Sequence, residues 1–193
     1  SFVKVFAVIL VLHVVILLFQ YTVAGTAAKK NPFGLIKNMI PAYTTAIGTQ
    51  SSAATIPVTV ECTKKNGVSD SIAEFVCPLC ATIHLSGSTI TLTSCSIAVM
   101  MMMGQPVTFG KMFPFILMLG VTMVAAPGVP GGAVMAALGI LQSMLGFDET
   151  MQGLMIALYI AQDSFGTACN VTGDGAIAVL MDAITGKKNK AAV

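Results

Sequence analysis

Residues 161–175 read AQDSFGTACNVTGDG, and they sit inside a long apolar segment near the C-terminus. The stretch carries two carboxylates, Asp163 and Asp174, the amide of Asn170, the hydroxyls of Ser164 and Thr167, and three glycines. Asp163, Thr167, Asn170 and Asp174 follow one another at steps of four, three and four, which places all four on one face of a helix. Acids within a membrane segment are costly and face a cavity, an ion path or a substrate path. A polar stripe on an apolar helix is a binding surface or a helix–helix contact, and the two acids favour binding.

The rest of the chain sets that stripe in a membrane. Of 193 residues 55% are hydrophobic and 9% are charged, against about 25% charged in soluble domains. Mean hydropathy is +0.87. The apolar segments are long rather than alternating, so an all-α membrane protein is expected. A formal net charge of +2 is too small to indicate a nucleic-acid partner. All ten basic residues are lysines, so the chain offers no bidentate guanidinium to a carboxylate. The chain opens directly in an apolar run, without an initiator Met or a signal-peptide pattern, and reads as a C-terminal fragment.

Residues 1–25 are long enough for one transmembrane helix, with His13 expected to face the bundle rather than bind a ligand. A basic connection follows, and residues 38–62 then form two half-length apolar arms around the polar tip GTQSSAAT (48–55). This pattern fits a first re-entrant hairpin whose tip lines a cavity. A surface amphipathic helix fits less well, because the arms lack a charged face. Residues 73–103 are apolar but interrupted at His84-Leu85-Ser86-Gly87-Ser88, as a broken transmembrane helix would be. A break there frees backbone carbonyls, which can coordinate Na⁺. Residues 112–147 repeat the hairpin around AAPGVPGG (125–132), a tip that no regular helix runs through. Residues 148–185 form the last helix. The order hairpin, broken helix, hairpin, striped helix repeats once and points to a secondary transporter built as an inverted repeat.

Several motifs carry other chemistry only weakly. Cys77-Pro78-Leu79-Cys80 has redox spacing but enters an apolar helix, and zinc would need two more ligands, so packing is the better reading. The run Met100–Met103 is packing surface, not a copper site. The glycine-rich second tip lacks the Lys-Ser/Thr of a phosphate loop. Asn170-Val171-Thr172 fits a glycosylation sequon but lies mid-membrane, where it would go unused. Eight lysines fall on one side if the first hairpin enters and leaves the same face, which makes that face and the C-terminus cytoplasmic. Lys111, Asp148 and Glu149 then lie outside. Cysteine and methionine usage fits a multi-pass protein of a bacterial inner membrane.

Four motifs, TQSSAATIP (49–57), PLCATIHLSG (78–87), GVPGG (128–132) and DSFGTACNVTGD (163–174), occur in an order that resembles the dicarboxylate/amino acid:cation symporter family. The resemblance covers nearly the whole chain and implies the transport domain of the glutamate-transporter fold, without the family's N-terminal helices and trimerisation scaffold. It implies Na⁺-coupled symport of amino acids in a homotrimer, no enzymatic activity and no organic cofactor. It places Ser51 and Ser52 on the substrate's α-carboxylate, Val129 of the gating second tip against substrate, Asp163 on the α-amino group, and Thr167 and Asn170 as further contacts. One implied Na⁺ site takes Cys80, His84, Asn170 and Asp174; a second takes carbonyls of Thr82, Met123, Val124 and Ala126.

The departures narrow the expectation. Acidic-substrate members place an arginine where this chain has Gly166, and their alternative arginine site matches Gln50 or Ser164. An acidic side chain would be left as an unpaired buried carboxylate, at roughly 3–5 kcal/mol. A small neutral amino acid such as serine, threonine or alanine is therefore expected, with Ser88 available to a substrate hydroxyl. A dicarboxylate or acidic amino acid is the alternative substrate. A third Na⁺ site of the family loses its Asn and Asp to His84 and Ser86. His84 is either a titrating group or, preferably, a neutral histidine bonded to a local carbonyl. Competing readings are a channel, or a non-functional fragment whose stripe only bonds helices together.

Overall fold

Interruptions, rather than helix lengths, organise the architecture. The computed structural model describes the backbone of residues 2–191 and the side chains of residues 2–186, and every regular element among them is an α-helix. Helix α1, Phe2–Ala28, is 27 residues long, or about 40 Å at 1.5 Å per residue. It stops where Lys29 turns into the left-handed region at φ 57°. The expected basic connection is then partly helical. Asn31 caps α2, Pro32–Asn38, by accepting from the Phe33 amide.

Helices α3, Ile40–Thr49, and α4, Ser52–Lys65, form the first hairpin, with Gln50 left-handed at its tip and Ser51 capping α4 through the Ala54 amide. Helices α5, Asp70–Ile83, and α6, Ser86–Met102, are the two halves of the broken segment, separated by His84 and Leu85. Helices α7, Phe109–Met123, and α8, Gly132–Leu145, form the second hairpin. Lys111 Nζ donates to the Leu145 carbonyl and closes its base.

The expected single helix over 148–185 is two. Helix α9, Glu149–Ile160, is capped by Asp148. Helix α10, Asp163–Ala191, begins after a turn at Ala161 and Gln162, where the Gln162 amide donates to Tyr159 rather than to Leu158. The order is thus helix pair, broken helix, helix pair, broken helix, a more regular repeat than the sequence reading proposed. The tail lysines Lys187, Lys188 and Lys190 have side chains outside the described residues.

Two apolar cores hold the bundle. One is built from α6, α7, α8 and α9, where Met112, Phe115, Leu119 and Met123 on α7 recur at helical spacing against Val134, Ala137 and Leu141 on α8. The other gathers α1 to α5 around α10, with Tyr21, Leu35, Met39, Val76 and Val179 among its members. Helix α10 meets α1, α3, α4, α5 and α6. Residues 166–176 are buried without interruption, so its polar stripe has protein, not solvent, on every side. The outer face of α1 is different: Val8, Val11, Val14, Val15 and Phe19 are all more than half exposed. By length and composition α1 and the α5–α6 segment are each able to cross a membrane, whereas each hairpin arm is shorter than the ~20 residues a span needs.

Helices α6 and α10 come close enough to touch backbone to backbone. A Cβ on Gly87 would collide with the Gly166 carbonyl oxygen and come within 2.6 Å of Cys169 Cβ, both on α10. Gly87→Ala must therefore push the two helices apart, and overpacking of this kind costs about 1–3 kcal/mol. A lowered thermal midpoint of the full-length protein is the expected outcome; an unchanged midpoint would contradict this approach.

Candidate substrate and cation site

The four interruptions converge on one region. Ser51 Oγ donates to the Gly128 carbonyl at 2.6 Å, and the Ala53 amide donates to the same oxygen at 3.3 Å, so the two hairpin tips touch. Gly128 also packs on the first break, where an added Cβ would lie 3.1 Å from the Ala81 carbonyl oxygen. Between these elements is a cavity of about 10 Å³, room for roughly one water. Gln50 and Ser52 of the first tip, Val129 of the second, Ser88 of α6, and Asp163 and Thr167 of α10 all line it.

Asp163 is the first residue of α10 and is 3% exposed. Its Oδ2 accepts the Gly131 amide at 2.7 Å, and its Oδ1 accepts Thr167 Oγ1 at 3.4 Å. Gly131 has φ 71° and stands at the N-cap of α8, so the carboxylate also faces the positive end of that helix. The second tip is thereby fastened to the acid expected to hold an amine.

Asn170 is oriented differently from expectation. Its Oδ1 accepts the Gly87 and Ser88 amides at 2.8 and 3.3 Å, and its Nδ2 donates to Ser88 Oγ at 2.9 Å. The side chain caps α6, satisfying N–H groups that the break leaves orphaned, and one amide hydrogen remains for another partner. Ser51 is likewise engaged, as cap and as tip-to-tip donor, whereas Ser52 is buried on the cavity wall. Gly166 faces α6, where an added Cβ would lie 3.4 Å from Thr91 Oγ1.

The expected cation residues fall into two groups. Asp174 is 1% exposed; its Oδ1 lies 2.9 Å from His84 Nδ1, and its Oδ2 is buried with no hydrogen-bond partner. His84 Nε2 lies 3.0 Å from Gln20 Nε2. With that amide as donor, the imidazole proton is on Nδ1 and faces the carboxylate. His84 thus bonds a carboxylate and an amide, not the local carbonyl proposed from sequence. The Cys80 carbonyl accepts the His84 amide at 2.8 Å, while the carbonyls of Ala81, Thr82 and Ile83 accept no backbone N–H.

At the second tip the Met123 carbonyl accepts the Ala126 amide at 3.1 Å, and Val124 and Ala126 offer carbonyls that no backbone amide takes. Among the described residues no three His, Cys, Asp or Glu side chains cluster as a metal site. A hard cation here would be held by Asp174 and main-chain oxygens, a donor set that suits Na⁺ better than a transition metal.

His13 is bundle-facing as expected, with Nε2 3.1 Å from the Gly87 carbonyl and 3.2 Å from Thr91 Oγ1. All five cysteines are free and buried. Sequence reasoning missed Tyr159 on the cavity wall and Gln20 behind His84. The stride of the stripe, extended one turn back from Asp163, lands on Tyr159. Gln20 lies seven residues from His13, on the same face of α1.

Residues 1–184 match the model of the Sodium:dicarboxylate symporter family. An "Excitatory amino acid transporter" of Caenorhabditis elegans is 31% identical over 76% of this chain and 29% of its own length. The "Neutral amino acid transporter B(0)" of Rattus norvegicus is 29% identical over 76% of this chain and 26% of its own. The "Neutral amino acid transporter A" of Homo sapiens is 28% identical over 84% and 30%. The chain therefore spans under a third of the length of these relatives. By its match along nearly all of its length, the chain belongs to the Sodium:dicarboxylate symporter family, a family of transporters and not of enzymes.

Proposed function

We propose that this chain is the core of a Na⁺-coupled symporter for small neutral amino acids such as serine, threonine or alanine, working by alternating access with the second hairpin as gate. One observation carries the reading: Asp163 Oδ2 accepts the Gly131 amide at 2.7 Å beside a cavity of about 10 Å³. The cavity is too small for an amino acid, so entry requires the second tip to lift. Lifting removes Gly131 from Asp163 and exposes a carboxylate at the moment an ammonium group needs one.

The tip then recloses with the substrate's amine in place of its own N–H. Ser52, the one free hydrogen of Asn170 and tip backbone groups offer donors to the α-carboxylate, beside the helix N-termini of α4 and α6. Asp174 Oδ2 and the freed carbonyls of Thr82, Val124 and Ala126 offer oxygens to Na⁺. In the whole protein this unit sits in a cell membrane as part of a homotrimer, with re-entrant hairpins and a cytoplasmic C-terminus.

Neutral rather than acidic substrates follow from charge. The chain has no arginine, and Gly166 supplies no cation to the cavity. Relatives named for excitatory and for neutral amino acids match at similar identity and do not separate the two. The alternative, an acidic substrate, would need a cation from elsewhere in the longer protein.

Two experiments on the full-length protein test the reading. With Na⁺ present, L-serine should raise the thermal midpoint and compete for uptake where L-aspartate does not, and Asp163→Asn should weaken L-serine about 10- to 150-fold. Serine binding indifferent to that change would dispose of the proposed amine site. Asp174→Asn should raise the Na⁺ concentration needed for half-maximal serine binding. A Na⁺ titration superimposable on that of the unaltered protein would remove Asp174 from the cation site.

A further inference from the structure

Tyr159 is 1% exposed, and its buried hydroxyl makes no hydrogen bond of good geometry, although Ser88 and Asp163 stand beside it within reach of one. It nevertheless forms part of the cavity wall, with Ser88 and Asp163 as its polar neighbours. The other polar side chains of α10 on that wall are all engaged: Asp163 with Gly131 and Thr167, and Asn170 with Gly87 and Ser88. Buried hydroxyls almost always have partners. The ring belongs to an apolar core where phenylalanine would pack equally well and leave nothing unpaired. Thr172 also has a buried hydroxyl without a partner, but Tyr159 alone of the two lines the cavity, where a ligand can complete its bond.

The geometry points to Tyr159 as a specificity-determining residue whose phenolic O–H donates to an oxygen on the substrate's side chain, selecting hydroxyl- or amide-bearing neutral amino acids over alanine. This rests on the amino-acid reading of the site. Tyr159 is in the last turn of α9 and Asp163 opens α10 across the break, and the two side chains meet on the same cavity wall. An amine on Asp163 leaves a short side chain free to reach back toward α9, while the carboxylate lies toward Asn170 and the tips. The phenol is a neutral donor. It completes a hydroxyl or a carboxamide without a charge to balance, but it does not neutralise a carboxylate. Ser88 Oγ accepts from Asn170 and keeps its own hydrogen to give, so a substrate hydroxyl meets two donors at one end of the cavity.

The test compares Na⁺-dependent binding of L-serine and L-alanine to the full-length transporter before and after Tyr159→Phe. Unaltered protein should prefer serine. The substitution should weaken serine about 3- to 10-fold and leave alanine unchanged, while the ligand-free thermal midpoint stays level or rises because an orphaned hydroxyl has been removed. Equal loss of both amino acids, an unchanged serine-to-alanine ratio, or no serine preference in the unaltered protein would overturn the assignment alone. Unaltered protein that binds L-aspartate and neither neutral amino acid would overturn the neutral-substrate reading together with it.

Discussion

The bond between the Asn170 side chain and the start of α6 is the constraint on which this arrangement depends. Breaking a helix inside an apolar bundle leaves N–H and C=O groups that no water is at hand to satisfy, and each is expensive to leave bare. Asn170 Oδ1 takes two of those amides, from Gly87 and Ser88. It does so from the middle of a helix buried on all sides, which requires α6 and α10 to lie almost in backbone contact. Gly87 makes that contact possible, since a Cβ there would strike the Gly166 carbonyl. The carbonyl ends of α5 receive no such cover, so the same break presents a satisfied donor end and an unsatisfied acceptor end. That asymmetry suits a proposed site that takes a cation at one place and a carboxylate at another.

The tips obey the same rule with each other. Gly128 offers its carbonyl to the Ser51 hydroxyl and the Ala53 amide, and Gly131 offers its amide to Asp163. The group that the amine of a zwitterion would engage on closing, Asp163, is already engaged by a backbone N–H, the same polarity as an ammonium. In the proposed cycle the gate therefore shuts well both loaded and unloaded, because backbone and substrate are interchangeable partners. A symporter needs this property, since its return journey is made without cargo. Sodium enters the same logic through Asp174, whose second oxygen has no protein substitute in the closed form.

Much of this was legible in the sequence, for reasons that differ by element. Glycine and proline clusters marked the second tip because no helix tolerates them, and the 4-3-4 spacing of the stripe fixed which face of α10 is polar. The break at Ala161 and Gln162 was not legible. Neither residue disfavours a helix, and the turn is made by the shift of one amide from Leu158 to Tyr159, a tertiary outcome. Helix α2 was hidden by its lysine and its Pro32, which read as a connection although proline is well placed in a first turn. At the site, residue types were readable but engagements were not. Asn170 and Ser51 were read as ligands for substrate, and their bonds to Gly87, Ser88 and Gly128, some 80 residues away in the chain, were not foreseen.

Gly166 shows how one absent side chain reshapes such a site. A Cβ added there would meet Thr91 and Ser88 at ordinary contact distance, so a methyl fits against α6 but a longer side chain would have to displace it. With no cation at position 166, the polar functions around Asp163 in the cavity lining are hydroxyls and amides, among them Thr167, Ser88, Ser52, Gln50 and Tyr159. Hydroxyls and amides both give and accept hydrogen bonds but carry no charge. They satisfy a second neutral polar group easily and a second anion poorly. The proposed selectivity thus depends less on any single contact than on the sign of the cavity as a whole. One anion belongs to the protein, one cation and one anion arrive with the amino acid backbone, and nothing remains to balance a further carboxylate.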